Sequence, residues 1–148
     1  MGMRRPMPTT KGLAFTLAAV LWSSAVAHAT DLRPGQYEAT LQVSIMGELE
    51  PPEQDEQCFT ADDVERFDGW IALHLGETCS IADRTESDGR VTFTIPCADD
   101  VVPVTRRAEL TTTSDSFVVV LKTMHEPGDE VDSVLTMRGK RIGECATR

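Results

Sequence analysis

Basic residues are scarce in this chain, which carries 14 Lys+Arg against 24 Asp+Glu for a formal charge of −10 over 148 residues. Nucleic-acid binding draws most of its affinity from Lys and Arg neutralising phosphates, so that partner class is excluded, and anionic membrane surfaces are disfavoured by the same balance. Histidine is rare too, at three residues. No GxSxG, HExxH or CxxC pattern occurs, so hydrolase and zinc-site readings lack their parts. Beyond the first thirty residues no apolar run approaches the roughly 18 residues that span a bilayer as a helix. There is no internal repeat and no low-complexity linker.

What is present begins at the N-terminus. Arg4, Arg5 and Lys11 precede an apolar run, 12–26, that closes on Ala27-His28-Ala29. A basic n-region, a short h-region and small residues at −3 and −1 of a cleavage point predict a secretory signal peptide over 1–29. The mature chain, 30–148, then forms one disulfide-bonded β-rich domain in the periplasm, with no transmembrane segment. Loss of the leader removes three bases and no acids, leaving 11 Lys+Arg against 24 Asp+Glu and a formal charge of −13. No cysteine stands at the cleavage point, so no lipid anchor is expected.

The mature chain has four cysteines, Cys58, Cys79, Cys97 and Cys145. An even number in an oxidising compartment predicts two disulfides rather than a zinc site. Composition allows three connectivities, and register favours one. Between Cys79 and Cys97, two strand-like halves flank Ser87-Asp88-Gly89, where glycine suits the left-handed position of a three-residue turn. That turn sets Glu86 opposite Arg90, Asp83 opposite Phe93, Ile81 opposite Ile95 and Cys79 opposite Cys97, the last as a non-hydrogen-bonded pair where side chains approach closely. Cys58 and Cys145 then pair with each other. In the chain-entropy model the long loop confers about 4–5 kcal/mol and the short one about 3 kcal/mol.

The expected fold is mainly β: a single antiparallel curved sheet or small open barrel, a meander, with one short helix. Tyr37, Ala39, Leu41, Val43 and Ile45 alternate with Glu38, Thr40, Gln42 and Ser44, predicting a strand with one buried and one wet face. A second hairpin joins 107–113 to 117–124 across Ser114-Asp115-Ser116, and a third returns through Pro127-Gly128-Asp129 to 131–138. Thr60 caps a short helix that Gly69 stops, with Trp70, Ile71, Leu73 and Leu75 folding under the sheet.

Several of these residues together resemble a known family. Pro34-Gly35-Gln36-Tyr37-Glu38 before an alternating strand, Gln57-Cys58-Phe59-Thr60 opening a helix, and Arg138-Gly139-Lys140-Arg141-Ile142-Gly143-Glu144-Cys145 at the end are similar to the bacterial domain of unknown function 3617. The resemblance spans essentially the whole mature chain and includes all four cysteines. Tyr37 stands where that family usually has Trp, and its Met- and Gly-rich strands are here mostly Val, Thr and charge. The resemblance implies an exported Gram-negative protein with no assigned activity, and it carries over no catalytic residue.

The residues themselves offer little chemistry, and no catalytic residue, metal ligand set or cofactor is assigned. His74 lies in an apolar stretch and His125 at a turn. Glu48, Glu50, Glu53, Asp55, Glu56, Asp62, Asp63, Glu65 and Asp68 crowd one region, a solvated acidic surface rather than a calcium loop. Met124 and Met137, close across the third hairpin, with His125 and Met46, are soft ligands for Cu(I), although methionine in a strand is more often core filler. Arg138, Lys140 and Arg141 form the candidate ligand-binding cluster, either a site for an anionic headgroup or charge pairs to the acidic helix region. The function expected is a non-enzymatic binding or interaction module, engaging an envelope protein or a small apolar or anionic ligand through a concave face or a sheet edge. The alternative is an enzyme acting on envelope polysaccharide through paired carboxylates.

Overall fold

The computed structural model describes residues 31–125 and 131–146. The expected signal peptide and the turn Pro127-Gly128-Asp129 lie outside them. The alternating segment forms β1 (Gly35–Ile45), which Met46 and Gly47 end with φ of 49° and 86°. Two short returns, β2 (Glu48–Leu49) and β3 (Glu53–Phe59), both lie antiparallel against the same edge of β1. Helices α1 (Ala61–Glu65) and α2 (Phe67–Leu75) follow. The remaining strands are β4 (Ala82–Ser87), β5 (Arg90–Thr94), β6 (Thr105–Thr112), β7 (Ser116–Met124) and β8 (Ser133–Gly143).

From β4 to β8 the sheet is the expected antiparallel meander, and β1 then docks on β8, so the first long strand pairs with the last. The sheet stays open, with β3 and β4 at its two edges. It curves around α2, which reaches both edges: the Phe67 ring lies 5.2 Å from that of Phe59 on β3, and Asp68 accepts a 2.7 Å hydrogen bond from Arg84 on β4.

Thr60 caps α1 as its sequence predicts, accepting from the Asp63 amide at 3.2 Å while the Asp63 carboxylate accepts from the Thr60 amide at 2.8 Å. This reciprocal box satisfies two of the orphan donors at the helix start. Gly69 does not stop the helix. The chain breaks instead at Arg66 and continues through Gly69 as α2, giving two short helices where one was expected. A glycine inside a helix costs about 1 kcal/mol relative to alanine. Burying Phe67, Ile71 and Ala72 outweighs that, since a fully buried Phe or Ile contributes about 1.5–3 kcal/mol.

The first hairpin reaches its expected disulfide by an unexpected route. Its turn has two residues, Asp88 and Gly89 with φ of 53° and 72°, so Ser87 rather than Glu86 faces Arg90, and Glu86 faces Val91. Two left-handed residues match the twist of a tight hairpin. A bulge between Ala82 and Thr85, with Asp83 at φ 49°, then shifts the ladder by one residue, so Asp83 has no partner at Phe93. Beyond the bulge Cys79 faces Cys97 after all. Hydrogen bonds from Ser80 to Pro96 (3.0 Å) and from Ala98 to Thr78 (3.1 Å) flank them, the pattern of a non-hydrogen-bonded pair. Both disulfides form, Cys79–Cys97 and Cys58–Cys145.

The core runs along the inner face of β5, β6 and β7 through Val91, Phe93, Ile95, Ala108, Leu110, Val119 and Leu121, and ends in an aromatic cluster. Tyr37, Phe59, Phe67 and Phe117 are all at most 1% exposed, with ring centroids 4.8–5.9 Å apart. Gly139 makes this possible, because a Cβ there would stand 2.0 Å from the Phe117 ring. Tyr37 donates its hydroxyl to the Arg33 carbonyl at 2.7 Å.

Candidate ligand-binding faces

Residues paired across a sheet share a face, so the register lays out the inner surface row by row. Ala39, Gly139 and Phe117 form one row, followed by Leu41, Met137 and Val119, then Val43, Leu135 and Leu121, then Ile45, Ser133 and Thr123. The ring contacts of α2 are made with Phe59 and Phe117, at the first of these rows. Burial on β1 fades accordingly, from 0% exposure at Tyr37 through half-buried Leu41 and Val43 to 49% at Ile45. The predicted buried face of β1 is thus covered only at its start.

This uncovered apolar strip opens into a cleft of about 390 Å³ lined by Leu41, Val43, Glu50, Pro51, Pro52 and Glu53. Two prolines and two valine- and leucine-type walls give it apolar sides, and two carboxylates stand at its rim. A second cleft of about 400 Å³ lies at the helices, between Asp62, Asp63, Arg66, Trp70, Leu73 and Ile81. Its indole is already engaged: Trp70 stacks on Phe67 at 5.5 Å and meets the tilted His74 ring at 3.8 Å.

The sheet edges are poor docking strands. β3 presents Glu53, Asp55 and Glu56, and β4 presents Asp83, Arg84 and Glu86 beside its bulge. Charge and bulges are how natural sheets block edge-to-edge pairing.

The expected basic cluster is divided. Arg138 faces Thr40 and Val118, and Lys140 faces Glu38 and Ser116, placing both on the outer side of the sheet. Arg141 turns to the opposite side, donates from Nε to the Pro34 carbonyl at 3.0 Å and pairs with Glu144. It packs across Gly35, where a Cβ would come within 2.5 Å of its Nε. None of the three pairs with the acidic helix segment among the described residues. Arg106 and Arg107 lie on β6, separated from β8 by β7.

Other candidate groups are engaged. His74 Nδ1 is 2.8 Å from the Trp70 carbonyl, and His125 pairs with Asp132. Met137 faces Val119, five residues along β7 from Met124, so the methionine pair does not form. Cys97, Asp99 and Asp100 lie close together, but the sulfur is oxidised and Arg106 grips Asp100 at 2.7 and 2.9 Å. That contact holds the Asp100 carboxyl below its ordinary range, as Arg33 does for Asp115. Burial pushes the Tyr37 phenol up.

The sequence pattern missed the Pro51-Pro52 wall, because acidic β3 carries no apolar alternation to announce a strand. It also missed Lys122 and its pairing with Arg107, which only the register of β6 on β7 exposes.

Residues 32–145 match the sequence profile of a family described as a protein of unknown function (DUF3617). No curated protein and no solved structure matches the chain.

Proposed function

Since the chain belongs to the DUF3617 family, whose function is unknown, we propose from its geometry that it is an exported, non-enzymatic module binding a small apolar ligand along the partly exposed β1 side of its inner face. The observation that carries this reading is the strip Leu41, Val43, Ile45, Leu135 and Met137, which shares a face with the core but lies beyond the ring contacts of α2. Ligand sites are concave and mostly apolar, with a few polar groups at fixed positions, and the cleft between Val43 and Pro52 has that make-up. Export through a cleaved leader to the periplasm is part of the proposal, supported by the 1–29 pattern and by two disulfides of the kind an oxidising compartment maintains.

Native mass spectrometry of protein recovered after export tests this, together with displacement of an apolar fluorescent probe. A native adduct lost in Val43→Glu, with probe affinity falling about tenfold or more as a buried charge enters an apolar site, is the expected result. Wild-type protein that carries no adduct and takes up no probe overturns the reading. Turnover of envelope polysaccharides above a heat-killed control would favour the enzymatic alternative.

A further inference from the structure

The cations of this acidic protein are sorted by position. Arg33, Arg84, Arg90, Arg106 and Arg141 each have a carboxylate partner. Among the described residues Arg66, Arg107, Lys122, Arg138 and Lys140 form no ion pair, although Lys140 has Glu38 as its cross-strand neighbour. Four of those five, all but Arg66, lie exposed on one surface, the outer face of β6, β7 and β8.

We propose that this outer face docks on an anionic phospholipid bilayer, with Arg107, Lys122, Arg138 and Lys140 as its contacts. The first argument is that Arg107 and Lys122 are direct cross-strand partners. Like charges directly opposite destabilise a sheet, and no described carboxylate forms an ion pair with either, so an anion from outside the chain relieves the repulsion. The second is extent. Lys122 is level with Val134, and Lys140 stands six residues further along β8. At about 3.3 Å per residue the cations span roughly 20 Å, more than one phosphate reaches but well matched to neighbouring headgroups. The third is what the face lacks. Every Phe, Tyr and Trp among the described residues belongs to the core cluster or packs on it. Sugar and base recognition relies on aromatic stacking, which this face cannot supply. Val118, Val120, Thr136 and Thr40 fill the surface between the cations, so contact is superficial and electrostatic.

The overall negative charge does not forbid this. Exposed charges further apart than about 8 Å are largely screened at physiological ionic strength, so the face is read locally. Its acidic members are Glu109, held by Arg90 at 3.2 Å, Glu38, directly across from Lys140 with Glu56 beyond it, and Asp83, which accepts from Thr94 beside Arg107. The Arg107–Lys122 pair and Arg138 therefore carry the least offset charge.

Flotation of the exported protein, its start at Thr30 verified by intact mass, with vesicles of phosphatidylglycerol and phosphatidylcholine decides the matter. Binding at low salt is expected, with loss at high salt and none to phosphatidylcholine alone. Each Lys or Arg near an anionic surface is worth about fivefold in affinity, so Arg107→Gln with Lys122→Gln, or Arg138→Gln with Lys140→Gln, weakens binding about 25-fold. Arg66→Gln removes the same charge off the face and leaves binding unchanged. Lys122→Gln leaves the melting temperature unchanged or raised, which separates loss of contact from loss of fold. The proposal is overturned by wild-type protein that ignores the anionic vesicles, by binding that survives removal of all four cations, or by capture of a soluble acidic polysaccharide in place of vesicles.

Discussion

Tyr37 is the chain's one tyrosine, it is fully buried, and its hydroxyl donates to the Arg33 carbonyl at 2.7 Å. Burial disfavours the phenolate, so the folded state holds the phenol above its ordinary value near 10. A raised folded value means the contribution is fully present below about pH 10 and is lost as pH rises through the folded value. Ultraviolet absorbance follows this single phenol without ambiguity. Its ionisation is expected above the free-tyrosine range and together with the loss of near-ultraviolet circular dichroism. Ionisation at the free-tyrosine value with the fold intact would show that the ring is not sealed. The residues that carry the family resemblance act at this same scale. Gly35 admits Arg141, Gly139 admits Phe117, and Cys145 ties back to Cys58 beside Phe59. They join β1 to β8, β8 to β7 and β3 to the chain beyond β8 respectively, which explains why the pattern identifies the family without naming a chemistry.

Among the elements, the hairpin between Cys79 and Cys97 depends on its bulge. Asp83 adopts φ 49°, a left-handed conformation that Asp and Gly tolerate and β-branched residues do not. Asp83→Val is therefore expected to destabilise the protein by about 1–3 kcal/mol, while Asp83→Gly keeps it near wild type. Thermal melts of the two variants check this, and equal losses would mean that the Asp83 carboxylate, which accepts from Thr94 at 3.0 Å, matters more than the backbone. The bulge also marks where the sequence stopped being legible. Alternation identified β1, the facing cysteines and the existence of the β6–β7 hairpin, because burial of one face imposes a period of two. It did not set that hairpin's register, since the turn is Ser114-Asp115 and Thr112 rather than Thr113 faces Phe117. It could not reveal a two-residue turn compensated by a bulge, since both routes place Cys79 opposite Cys97. Acidic β3 was invisible for a related reason: an edge strand facing solvent needs no apolar period. Gly69 misled because tertiary burial of Phe67 and Ile71 overrode a local propensity. At the candidate faces, the shared side of Leu41, Val43 and Ile45 was legible, as was that of Arg138 and Lys140 from their spacing. Which strands flank them was not, and so Arg141 was grouped with neighbours it faces away from.

At the scale of the whole molecule, the two disulfides constrain different parts of an open sheet. Cys79–Cys97 closes 18 residues within one hairpin region, whereas Cys58–Cys145 spans 87 residues and joins the end of β3 to the chain beyond β8. Since β3 and β8 lie on opposite sides of β1, the longer bond clamps the central strand between its neighbours. It also fixes the entry to α1, because Phe59 and Thr60 follow Cys58 directly, and α2 must be placed correctly to fill the curve of the sheet. Cross-links act largely by restricting the unfolded chain, and the loop lengths give about 4.6 kcal/mol for Cys58–Cys145 and about 3.2 kcal/mol for Cys79–Cys97. Replacing Cys58 and Cys145 together by Ala is therefore expected to lower stability by about 1–2 kcal/mol more than replacing Cys79 and Cys97, in denaturant titrations of the two double variants. The reverse order would place the dominant constraint in the β4–β5 hairpin. The helices would then depend on their packing against Phe59 and Phe117, not on the covalent clamp, to close the covered end of the inner face.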